Sequence, residues 1–590
     1  MLLQRMFLLQ STIEIFLAIF RERTTFSVFV HIFSKIDQVI YNITSTTFNI
    51  YKMILNMLIG AWYLVILYVF YRHPTMPAGI IWPSGKLDLI TQLDGLSCDI
   101  WLLFLLLAWW TYGKIINETI PYRCIKLIEC LFYSIEILVV VLILFLKRNL
   151  VTSSFQHTIV WTGSLDYYPG VKIGTCYIYF GIDGISLLFI FLTAFIIPLC
   201  LLLNHKSYIL IREAYSVSIL SIGILIIAVF SVLDLVLFYV LFEIILIPFF
   251  FMISLAGSRV RKTHASYLLV FYTLAGSMLM LFAIVTVYAL CGTTNIQLLS
   301  VFDFTNTDNT LLWLCFVISF SIKVPVFPFH LWLPEAHVES PTEGSVILAA
   351  VLLKIGLYGF LRIVFPFFSE LSFFYSGVMI CFNCLSLLYT SLATLKQYDI
   401  KRIVAYSSIG HMNICMIGLF TFDIVGSIGS VLLMLGHGFV SSGLFLLIGM
   451  LYNRYKTKLI TYYSGLVYTM PLWSSFFFLY SIFNISFPGT SNFVGEFLII
   501  YSIVEYGNYC IVAVMLIALF ACAAYTIWLT NRILFGMPRI PNTVHCFDMD
   551  ILEFSILMPI TMMVFIVGIF PTIFSELVLL DVSRITNQCL

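Results

Sequence analysis

Six ionisable side chains stand in or beside long apolar runs of this sequence: Glu243, Lys323, Lys354, His411, His437 and Glu496. A charge at the centre of a membrane helix costs about 2.5–3.5 kcal/mol on insertion scales, so groups that persist there usually line an ion or proton path. Their types suit proton handling. A carboxyl and an amine on neighbouring helices are both charged when paired. Apart, the amine releases its proton more readily and the carboxyl takes one up. Imidazole, with an unperturbed pKa of about 6.5, exchanges protons near neutrality. The plainer alternatives are an inert core carboxyl for Glu243 and hydrogen-bonded packing roles for the histidines. Two histidines on consecutive helices, set between the lysines and Glu496, favour a relay.

The helices that carry these residues are interrupted. In the stretch from Leu311 to Phe365, Lys323 closes twelve largely apolar residues. Pro325, Pro328 and Pro334 follow, each removing an N–H and crowding the preceding turn. A second apolar run starts at Ser345 and carries Lys354 in its middle. Between 470 and 506 a second break falls at Pro488-Gly489, and Glu496 follows within two turns. Counted from the run 214–233, the Lys323 helix is fourth in a group of five. Counted from 375–395, so is the Glu496 segment. Matching interruptions mark inverted-repeat transporters with a midplane ion site. Glu243 lies about 14 Å into its own run at 1.5 Å per residue.

Composition sets the frame. Of 590 residues 61% are hydrophobic and only 10% charged, against roughly 25% charged in soluble domains. About fifteen runs are long enough to span at roughly 20 residues each. They begin near 53–71 and 96–113 and end with 510–534 and 553–577, and the longest polar linkers are 72–95 and 147–178. The expected architecture is an all-α polytopic membrane domain over 96–590, preceded by an extension, 1–95, with a candidate extra span near 53–71. Residues 1–36 mix Arg5, Arg21, Arg23 and Lys35 with Glu14 and Glu22, which reads as an amphipathic surface segment rather than a transit peptide. Basic residues after alternate spans (Arg259, Arg261, Lys262; Lys396, Lys401, Arg402; Arg454, Lys456, Lys458; Arg532, Arg539) place those loops on the cytoplasmic or matrix side.

Other chemistries find little support. A net charge of +1 gives no sign of nucleic-acid binding. The 14 cysteines lie mostly in apolar runs, and the lone pair Cys381/Cys384 lacks the further ligands of a zinc site or cluster. His330 and His337 do not have metal-ligand spacing. Glu335, Glu339 and Glu343 read as a solvated turn, and Asp183 and Asp234 as helix caps. No nucleotide or flavin fingerprint follows an expected strand, so the chain itself is expected to perform no redox step. The 55 Phe and 33 Tyr match an AT-rich, organelle-type coding bias.

At these residues a family resemblance becomes readable. KVPVFPFHLWLPEAHVESPTEGSVILAAVLLKIGLYGFLR, with YIYFGIDGISLLF, DLVLFYVLFEIILIPFF, DIKRIVAYSSIGHMN, LLMLGHGFVSSGLFLLIGMLYNRYKTKLI and SFPGTSNFVGEFLI in order, resembles the antiporter-like membrane subunits of respiratory complex I. The likeness covers about Tyr177 to Leu577. It implies about fourteen core helices in two inverted five-helix repeats with two broken helices. It further implies Glu243 and Lys323 as the proton-input pair, Lys354 as the central lysine, His411 and His437 as axis histidines, and Glu496 as the outlet. In the sister subunits lysine typically replaces the glutamate of VGEF. The implied setting is the mitochondrial inner membrane, or alternatively a bacterial plasma membrane. There the chain would meet other membrane-arm subunits, including two sister antiporter-like ones, and lipids. NADH, FMN, iron–sulfur clusters and ubiquinone would belong to other subunits, with no cofactor or metal on this chain. A subunit of a bacterial-type cation/proton antiporter is the second reading, and a structural scaffold the third. Two departures stand out: Glu343, where the family usually has a small residue, and the long N-terminal extension.

Overall fold

The computed structural model describes residues 125–148, 155–166, 172–204, 209–257, 261–302, 309–537 and 547–589. The extension 1–95, with its span near 53–71, and the run 96–113 lie outside the described residues. A bilayer core offers the backbone no hydrogen-bond partners, so apolar runs satisfy themselves as helices. Helix α1 (Ile125–Lys147) is the first described. The linker after it adds a small two-stranded element to this mostly helical chain. It folds into an antiparallel hairpin of β1 (Gln156–Asp166) and β2 (Lys172–Ile182). The strands alternate β-branched and aromatic residues around Pro169-Gly170, a composition that favours a pleated strand over a helix.

Helix α2 (Gly184–Leu203) starts at a capping box: Asp183 accepts from the Ser186 N–H at 2.9 Å, and Ser186 Oγ accepts from the Asp183 N–H at 2.8 Å. A first group of five spans follows. It comprises α3 (Ile209–Ser231), α4 (Leu235–Ile244) continued by α5 (Leu246–Ala256), α6 (Lys262–Cys291), α7 (Asn309–Lys323) with α8 (Trp332–Glu339), and α9 (Thr342–Phe367). The second group comprises α10 (Ser376–Thr394), α11 (Ile400–Leu419), α12 (Ile424–Tyr455), α13 (Pro471–Asn484) with α14 (Ser491–Glu505), and α15 (Tyr509–Leu534). In both groups the broken span is fourth. Then come α16 (Ile551–Ile569) and α17 (Pro571–Cys589). Among the described residues nine helices are long and apolar enough to cross a membrane.

Two expected boundaries shift, both at prolines. Pro334 does not interrupt a helix; it lies in the first turn of α8, where backbone N–H groups have no intrahelical acceptor to lose. The run 553–577 divides at Pro571, which opens α17. The core sits on α9 and α12, whose most apolar stretches are buried throughout, while α15 is largely exposed. The enclosed helices carry Lys354 and His437.

Candidate functional site

Lys354 is fully buried on α9. Just before it the helix widens into a π turn, Leu348–Leu352, a local unwinding often found at functional sites. The Lys354 ammonium reaches back to the Ala349 carbonyl at 2.5 Å and meets His437 Nδ1 at 3.0 Å. An ammonium only donates, so the facing His437 nitrogen is the acceptor. His437 comes from α12 between two glycines, and both permit close approach. A Cβ on Gly438 would lie 2.7 Å from Leu192 of α2, and one on Gly436 would lie 2.9 Å from Asn492 of α14.

The next member is His411 on α11, its ring centroid 5.4 Å from that of His437. His411 Nδ1 meets Glu496 Oε1 at 2.9 Å, and Nε2 lies 3.3 Å from Asn484 Oδ1. Glu496 is set by close packing of α14 on α12: a Cβ on Gly495 would fall 2.7 Å from the Leu433 backbone nitrogen. Lys354, His437, His411 and Glu496 therefore form one buried line through the centre of the fold.

Glu243 and Lys323 form a separate, open group. Lys323 is buried at the end of α7, its ammonium 3.5 Å from the Phe242 ring centroid and 3.4 Å from the Phe242 carbonyl. Glu243 is only half-buried. Its carboxylate lies within hydrogen-bonding reach of Ser277 and senses the Lys323 charge, and Oε1 has no hydrogen-bond partner. The two groups are electrostatic neighbours and do not touch. Lys323 approaches the central helix across Gly356, where a Cβ would meet Lys323 Cβ at 3.2 Å. The break that lets α7 stop there spans Val324 to Leu331 and contains Pro325. The Pro488-Gly489 break opens the corresponding gap between α13 and α14, with Gly489 at φ +90°, a conformation that favours glycine.

Several polar residues have places that sequence reasoning did not foresee. Glu339 and Glu343 are buried rather than solvated. Glu343 accepts from Thr342 Oγ1 at 2.8 Å and Tyr215 OH at 3.0 Å. Lys401 and Lys458, read as loop charges, are buried and donate to the Ser340 and Val338 carbonyls at 3.0 and 2.6 Å. Those carbonyls lie at the C-terminal end of α8, which is left without intrahelical donors and attracts cations. His337 stacks on Phe445 with both ring nitrogens unpartnered. Asp183 and Asp234 do cap helices. Asp183 additionally binds Arg362, which also donates to Tyr358 OH at 3.2 Å. Cys522 and Tyr525 of α15, ordinary apolar-run residues in sequence, meet at 3.0 Å beside His411. Among the described residues no group of three His, Cys, Asp or Glu is arranged to hold a metal.

The sequence and the fold have relatives among known proteins. Residues 232–521 match the family described as NADH:quinone oxidoreductase/Mrp antiporter, TM. Complex I from Thermus thermophilus superposes with TM-score 0.70 at 26% identity, over 81% of this chain and 97% of that one. A chain of the Mrp complex from Dietzia sp. shares the fold at TM-score 0.70 and 19% identity, over 82% of this chain and 97% of that one. The NADH-ubiquinone oxidoreductase chain 4 of Arabidopsis thaliana is 42% identical over 479 residues, 81% of this chain and 95% of that protein. That of Acanthamoeba castellanii is 48% identical over 356 residues, 60% of this chain and 71% of its own length. The chain belongs to the NADH-ubiquinone oxidoreductase chain 4 family of antiporter-like membrane subunits.

Proposed function

We propose that this chain moves protons across the mitochondrial inner membrane as a membrane-arm subunit of NADH:ubiquinone oxidoreductase. Its working parts are the line Lys354–His437–His411–Glu496 and the input group Glu243 and Lys323. The observation that carries the reading is the pair of buried contacts at the two ends of the line, Lys354 on His437 and His411 on Glu496. Lys354 hands a proton to His437 Nδ1, which leaves a neutral amine on two existing hydrogen-bond partners. Rotation of the His437 ring closes the gap to His411, and His411 Nδ1 passes the proton to Glu496. Recharging comes from Lys323, whose charge is steadied when Glu243 approaches and released when it withdraws.

Electron transfer from NADH to ubiquinone, with FMN and iron–sulfur clusters, is assigned to other subunits, and the sister antiporter-like subunits are the expected neighbours. The second reading, a cation/proton antiporter subunit, draws on the shared Mrp fold. The identities of 42–48% to chain 4 proteins favour the first.

Glu496→Gln tests the outlet. It keeps the shape and removes the acidic proton, so the complex assembles and proton yield per NADH falls. Normal pumping by the assembled variant, or loss of assembly, would remove Glu496 from the outlet role.

A further inference from the structure

We propose that the first turn of α14 holds buried water beside His437, with Ser491 and Asn492 as the residues that position it on the way to Glu496. The inference rests on the reading of Lys354, His437 and Glu496 given above, and it assigns a role to groups which that reading leaves unused. Ser491 and Asn492 are completely buried. Ser491 Oγ and both polar atoms of the Asn492 amide have no hydrogen-bond partner in the protein. Such groups are costly inside an apolar core unless something small and polar reaches them. Thr490, the residue before the helix, supplies no side-chain cap and spends its hydroxyl on the Phe487 carbonyl at 2.7 Å. The first N–H groups of α14 therefore have no intrahelical acceptor either.

These groups converge. A Cβ on Gly436 would lie 2.9 Å from both Ser491 Oγ and Asn492 Oδ1, so the two oxygens point at the bare backbone of α12 one residue before His437. The set is neutral: a hydroxyl that donates and accepts, an amide oxygen that accepts and an amide NH2 that donates. A ligand that answers all three without bringing a charge is water, and about two to four polar partners are what a buried water needs.

Glu496 lies one turn beyond Asn492 on the same face of α14, about 6 Å at 1.5 Å per residue, a span that a short water chain bridges. His437 uses Nδ1 on Lys354 at 3.0 Å, which leaves Nε2 to release a proton. The water takes that proton and passes one of its own to the Glu496 carboxylate. It ends as water, with His437 neutral and Glu496 protonated. His411 bonds Glu496 Oε1 at 2.9 Å and Asn484 through its other nitrogen at 3.3 Å. Passage through the His411 ring requires one of those bonds to open; delivery by water to the second carboxylate oxygen does not.

The first test is a structure of the intact complex that shows ordered water. Water is expected within about 3.2 Å of Ser491 Oγ and of the Asn492 amide; a dry gap there overturns the proposal. The second test is proton yield per NADH in vesicles, with complex content measured on the same sample. The double variant Ser491→Ala, Asn492→Leu nearly keeps the volume of the turn and removes the unpartnered side-chain groups. It is expected to assemble and to lose as much of the yield as Glu496→Gln does. Asn492→Ser alone returns a hydroxyl and leaves room for a further water, so it recovers the yield relative to Asn492→Leu. A purely packing role predicts the reverse order, because serine leaves the larger gap. If the double variant pumps as the parent does while Glu496→Gln loses yield, the water site is wrong and the outlet stands. If Glu496→Gln itself pumps normally, the outlet is wrong and the water route goes with it. Where the double variant does not assemble, the ordered water in the parent structure decides.

Discussion

Lys354→Met isolates the centre of the line. Methionine fills nearly the same volume but removes the ammonium, with its bonds to the Ala349 carbonyl and His437 Nδ1. Assembly should survive. The variant relieves the burial of a charge at a fully enclosed position and leaves one histidine nitrogen short of a donor, a loss of about 1–3 kcal/mol. Transport should not survive. A proton crossing from α7 towards His437 would have to stand in apolar surroundings without a carrier. That costs about 2.5–3.5 kcal/mol, or roughly 70- to 400-fold in rate at 1.36 kcal/mol per factor of ten. The assay is dye-monitored proton uptake into vesicles per NADH oxidised, with complex content measured on the same sample. Lys354→Arg sharpens it: guanidinium keeps the charge but does not give up its proton in proteins, so this variant should fail as completely as methionine. Full pumping by Lys354→Arg would refute the central-carrier role.

Three further outcomes follow from packing and charge. Gly495→Ala places a methyl 2.7 Å from the Leu433 backbone, so α14 must move off α12, with a loss of about 1–3 kcal/mol; a structure of the variant should show Glu496 parted from His411. Arg362→Met leaves Asp183 buried and uncompensated, which should cost about 3–5 kcal/mol in a detergent melting assay. Adding Asp183→Asn, which keeps the cap, should recover most of it. Asp581 on α17, outside the spans, accepts from the Gly184 N–H at 2.6 Å and Arg148 at 2.7 Å. Burial, with the nearby Asp183 charge, still pushes its carboxyl up to about 7 from the ordinary 3.8. The folded state then holds this proton more tightly than the unfolded chain. The stability it contributes is complete below pH 3.8 and is lost as pH rises through about 7. Melting temperature should therefore fall between pH 5 and 8, and Asp581→Asn should flatten that slope.

The sequence alone determined the membrane class, the paired interruptions and the six ionisable positions, because each is a local violation of apolar continuity. A lysine inside VLLKIGLYG or a Pro-Gly inside an apolar run is conspicuous whatever surrounds it. The β-hairpin is less visible in sequence, since residues 156–182 are too mixed to separate from a polar linker by composition. The tertiary structure alone decided which groups meet. Lys354 and His437 are 83 residues apart, and His411 and Glu496 are 85; no spacing rule operates at that range. Burial also had to come from packing: Glu343, Lys401 and Lys458 are polar in any window, and it is Tyr215 of α3 that meets the first and the end of α8 that turns the two lysines inward.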